Sequence, residues 1–74
     1  MGTDIYWLIT ILNGDELLRC ALQVTAVRDN LSEDVKRYPM EPENREIIRR
    51  LLPEHLQDVG PIVQVEELFS IEVV

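Results

Sequence analysis

One cysteine, one histidine and one tryptophan are all that 74 residues hold of these types. A lone cysteine, Cys20, excludes an intramolecular disulfide, and no Cys/His spacing resembles a structural zinc site. An unpaired thiol suits a reducing compartment. Basic residues are also scarce: seven Lys and Arg stand against 14 Asp and Glu, a formal net charge of −7. That balance argues against direct nucleic-acid binding, which relies on cations neutralising phosphates. It argues equally against docking to anionic membranes. The few aromatics do not interleave with basic residues, so base stacking on single strands has no support. Long hydrophobic runs are missing too. The longest, residues 5–12, falls far short of the ~20 residues that span a bilayer. Asp4 and the lack of an early basic cluster do not fit a secretory signal. A cytoplasmic location is the expectation.

What is there begins with Asn13-Gly14, placed between two apolar runs. Such a dipeptide marks a tight β-hairpin, because primed turns need positive φ. With Asn13 and Gly14 as the loop, Leu12 faces Asp15, Ile9 faces Leu18 and Trp7 faces Cys20. A four-residue loop over residues 13–16 shifts the pairing but keeps the faces. Either way one face collects Ile5, Trp7, Ile9, Ile11, Leu18, Cys20, Leu22 and Val24, continued by Ala26. The other collects Tyr6, Leu8, Thr10, Leu17, Arg19, Ala21 and Gln23, and is not fully polar.

The β pattern stops at Arg28-Asp29-Asn30. Asp29 or Asn30 can cap a short helix from near Leu31, with Glu33 at N3 if Asn30 is the cap and Leu31, Val35 and Tyr38 inward. Pro39 ends it, and Pro42 can open a second helix through residue 52. Its apolar face would be Ile47, Ile48, Leu51 and Leu52, with a Glu46–Arg50 pair outside. Residues 53–58 suit a short helical piece with Leu56 inward, closed by Gly60-Pro61. The tail reads as one bent strand whose face is Val63, Val65, Phe69, Ile71 and Val73, interrupted at Glu67. A separate fourth strand from Ser70 is the alternative. The expected fold is therefore a single α+β domain spanning residues 1–74, in the order ββααβ. Its sheet would be mostly antiparallel, with the helices on one face.

No residue set suggests catalysis. His55 has Glu54 and Asp58 near in sequence, but no nucleophile motif accompanies it, and Cys20 lies on the expected core face. No metal-ligand spacing occurs, and no cofactor motif. The basic residues concentrate in the helical section, where Glu33, Glu41 and Glu46 can pair with them.

Small size, negative charge and a partly apolar second sheet face point to a non-enzymatic protein-interaction module. A homodimer is one expected partner arrangement, since a chain this short gains from association. A protein with a basic surface is the other. The sharper form is an inhibitor whose carboxylates occupy a nucleic-acid-binding groove. Small phage anti-defence proteins, anti-CRISPR proteins among them, share this size and charge, an analogy without a motif. That form requires Glu41, Glu43, Glu54, Asp58, Glu66, Glu67 and Glu72 to make one contiguous patch. The alternative, a small ligand-binding or regulatory subunit, requires an apolar pocket near Trp7 and Tyr38.

Overall fold

A computed structural model describes residues 2–25 and 31–73, with side chains for 3–25 and 31–72. Three strands, β1 (Gly2–Asn13), β2 (Glu16–Thr25) and β3 (Ile62–Val73), form an antiparallel sheet in the order β2-β1-β3. Two helices, α1 (Glu33–Arg37) and α2 (Pro42–Arg49), and a 3-10 turn over Glu54–Leu56 lie between β2 and β3. The order is ββααβ, as the sequence predicts. Strands of 12 residues at ~3.3 Å per residue match the 42 Å long axis of the molecule.

The longest apolar run became the central strand. Its odd positions, Ile5, Trp7, Ile9 and Ile11, are buried with Val24, Val35, Ile48, Leu52 and Ile62. Each such side chain contributes roughly 1.5–3 kcal/mol of transfer free energy. The hairpin takes the shifted register: Asn13 pairs with Glu16, Leu12 with Leu17, Trp7 with Leu22 and Ile5 with Val24. The turn residues are therefore Gly14 and Asp15, with Gly14 at φ 61°. Glycine takes the positive φ at the first turn position, so Asn13 stays in the ladder. Both registers share the same faces, and the core face is the expected one.

The helix boundaries move. Ser32 caps α1, its Oγ accepting from the Val35 N–H at 3.4 Å, so the helix opens at Glu33. Asp29, Asn30 and Ala26 lie outside the described residues. Tyr38 does not join Val35 in the core. It ends α1 with a non-helical backbone, φ −126° and ψ 60°, and is exposed. Pro42 opens α2 as expected, but the helix closes at Arg49 and tighter turns carry the chain to Leu52. Ile48 and Leu52 face inward, whereas Ile47 is turned to the surface.

β3 is one strand rather than two, and it bulges twice. Its pairing with β1 skips Leu68, between Tyr6↔Phe69 and Trp7↔Glu67, and Val63, between Thr10↔Gln64 and Ile11↔Ile62. An extra residue reverses the side-chain phase. Val65 therefore points to the helix side with Ile9, while Phe69 and Ile71 point to the opposite face with Tyr6 and Asp4. The single odd-numbered face expected for β3 does not exist. Among the described residues no helix is long and apolar enough to cross a membrane.

Candidate functional site

Polar side chains first hold the helical segment on the sheet. Asn44 Nδ2 donates to the Tyr38 carbonyl at 2.8 Å and the Asp34 carbonyl at 3.3 Å, which ties α2 to the open end of α1. Gln57 Nε2 donates to the Leu52 carbonyl at 2.9 Å and the Arg50 carbonyl at 3.3 Å. Asn44 thus adds a second donor to carbonyls that already accept from the Tyr38 and Glu41 N–H groups, while Gln57 reaches carbonyls just past the end of α2.

Two cations of the helical section, Arg45 and Arg49, are used in the same way, whereas Arg37 and Arg50 are exposed. Arg49 Nη1 donates to the Gly60 carbonyl at 2.8 Å and the Gln57 carbonyl at 2.9 Å. Its Nε pairs with Glu46 at 3.5 Å. Arg45 Nη1 donates to the Ile62 carbonyl at 3.5 Å. Lys36 pairs with Glu33 at 3.1 Å. Glu46 thus meets Arg49, one residue before the partner expected from sequence.

The seven carboxylates of interest are all exposed. None is ion-paired among the described residues. Glu41 and Glu43 come together with Asp34, Tyr38 and Asn44 around an open hollow of about 350 Å³ where α1 meets α2. Glu54 opens the 3-10 turn, and Asp58 lies just beyond it. On β3, Glu67 and Glu72 share the helix side with Trp7 and Thr3, whereas Glu66 shares the opposite face with Leu8. The sheet therefore separates Glu66 from the other two strand carboxylates, and the seven do not share one side. Sequence spacing could not show this, because the side of each strand residue depends on the bulge at Leu68.

Trp7 and Tyr38, expected beside one pocket, differ in exposure. Trp7 is 1% exposed inside the core, while Tyr38 is 54% exposed on the acidic hollow. Tyr38, expected beside Trp7, lines that hollow instead, with Asp34 and Asn44, which were not singled out from sequence as binding residues. The Pro39–Pro42 breaker was their only signal, because it folds α2 back beside α1. His55 is exposed on the 3-10 turn and makes no hydrogen bond to Cys20 or Asp58. Cys20 packs at the rim of the core on β2. Among the described residues no three His, Cys, Asp or Glu side chains converge on a metal-sized site. Compared with known proteins, the chain matches no family model, no curated protein and no solved structure.

Proposed function

We propose that this chain is a non-enzymatic protein-interaction module of the cytoplasm that presents helix-side carboxylates to a partner with a basic surface. The observation that supports this most is how the helical charges are used. Arg45 and Arg49 donate to backbone carbonyls, while Glu41, Glu43, Glu54 and Asp58 stay exposed without ion pairs among the described residues. These two bracing cations do little to neutralise the outward surface, and the exposed Arg37 and Arg50 offset only part of its carboxylates. The hollow at the α1–α2 junction suits a lysine or arginine side chain. Its carboxylates are Asp34, Glu41 and Glu43, and the Tyr38 ring offers a face to a cation. The sharper form, occupation of a nucleic-acid-binding groove, needed all seven carboxylates in one patch; with Glu66 on the opposite face of the sheet from Glu67 and Glu72, that form is dropped.

The test is capture of partners by the tagged chain at low and high salt, run beside a Glu41→Gln, Glu43→Gln variant. Exposed charge pairs weaken with salt. A partner lost at high salt and weakened by the variant is the expected result. A partner held equally by the variant and at high salt would refute the acidic-surface reading.

A further inference from the structure

The helices cover one face of the sheet, and the opposite face is open at its flanks, while its central row runs from half-buried Tyr6 and Leu8 to buried Thr10. Its flanking rows on β2 and β3 are exposed, from Leu17 to Gln23 and from Gln64 to Ile71. A solvated face of an antiparallel sheet normally reads polar. This one does not. Tyr6 stacks on Phe69 with ring centroids 4.4 Å apart and an interplanar angle of 24°. Leu8 lies next to Tyr6 in the row, and Phe69, Ile71 and Leu17 are each close to half exposed.

Charge is thin on the same face. Asp4, Arg19 and Glu66 are its charged side chains, giving a net −1 in a chain of net −7. The acidic excess is displaced to the helix side and the ends.

We propose that this face packs against the same face of a second copy, forming a two-layer sandwich with the helices outside. Three observations select that occupant. First, two chains of net −7 repel one another least through this surface. Second, a two-fold axis along the strands lays β2 of one copy over β3 of the other. Arg19 then faces the Gln64–Glu66 stretch of the second copy, and the contact is made twice. Third, the area is sufficient. Three strands at ~4.8 Å spacing and about ten residues of ~3.3 Å project roughly 500 Å², which side-chain relief brings toward the ~800 Å² per partner of a standard interface. Pairing through the β3 edge fits less well, because bulges at Val63 and Leu68 break the ladder a second strand would need. The acidic surface of the proposed function stays outside in this arrangement, so the dimer does not depend on that reading.

Sedimentation of the full chain over a roughly hundredfold concentration range reads the dimer directly. Wild type should pass from monomer to dimer. Phe69→Glu should raise the dissociation constant at least tenfold while Trp7 emission and far-ultraviolet dichroism stay unchanged. If that variant does not fold, Ile71→Glu carries the same expectation. Arg19→Glu should weaken the dimer, and adding Glu66→Arg should restore it. A chain that stays monomeric at the highest concentration would overturn the proposal. So would a dimer indifferent to Phe69→Glu and Ile71→Glu. Failure of the double reversal to restore association would overturn the crossing of β2 over β3.

Discussion

Two glycines do different work at the residue scale. Gly14 sits at φ 61° with nothing within 4 Å of an added Cβ, so only the backbone objects to a side chain there. Gly60 has the opposite problem. A Cβ built on it would collide with the Leu12 carbonyl, where the chain crosses the end of β1 and Pro61 accepts from the Leu12 N–H at 2.9 Å. The collision is with backbone and cannot be relieved by a rotamer. Gly60→Ala should therefore destabilise by about 1–3 kcal/mol, the usual cost of overpacking. Gly14→Ala should cost about 1–2 kcal/mol, the penalty for a left-handed L-residue. Urea unfolding followed through Trp7 separates the two. Equal stability of Gly60→Ala and wild type would mean that Pro61 need not pass so close to β1. Gly14 was legible in the sequence, because positive φ is a local demand. Gly60 read only as a breaker, since its constraint comes from Leu12, 48 positions away in the chain.

At the element scale, helices of five and eight residues cannot stand alone in water. They persist through Val35 and Ile48 in the core, with Leu52 anchoring the turns just beyond α2, and through side chains that close their ends. Asn44 joins them with two bonds to carbonyls of the α1 end. Asn44→Ala should cost about 1 kcal/mol, and amide exchange in α1 should rise with it. Arg49 is bound more tightly, with two carbonyls and Glu46 around a side chain only 22% exposed. Arg49→Met keeps much of the stem and removes the donors. A loss of about 1.5–3 kcal/mol is expected, the range for bonds to a charged group. A smaller loss by thermal unfolding would mean that water replaces the guanidinium at Gln57 and Gly60.

The elements themselves were legible: hairpin, proline-separated helices and closing strand all lie where the pattern puts them. Their phase was not. Ile47 looked equivalent to Ile48 on a helical stripe, but the α2 orientation admits only Ile48 and Leu52. Glu67 marked a break in β3, yet the bulge falls on Leu68, because the pairing with β1 decides which residue is left over. The candidate site suffered most, since the side on which Glu66 and Glu67 appear depends on that phase.

For the whole molecule, a net charge of −7 on a body of 42 × 20 × 19 Å makes self-repulsion a term in stability. Two observations set its sign. Among the described residues, Lys36–Glu33 and Arg49–Glu46 are the ion pairs, and each is short-range along one helix. The remaining exposed carboxylates gain little that salt could remove. The folded state concentrates these charges more than the unfolded chain does. Screening, with a Debye length of about 10 Å at 0.1 M and about 3 Å at 1 M, should then relieve more repulsion in the folded state. Stability should rise with sodium chloride. A gain of about 1 kcal/mol would raise Tm by roughly 4–8 °C for a domain of this size. Glu41→Gln with Glu43→Gln should flatten that slope, because it removes charge where Asp34 already crowds the hollow. The scan should be run at two protein concentrations, since association adds its own concentration-dependent stabilisation. A Tm that falls with added salt would show attractive pairs outweighing the repulsion, and the carboxylates would then not be free to meet a basic partner.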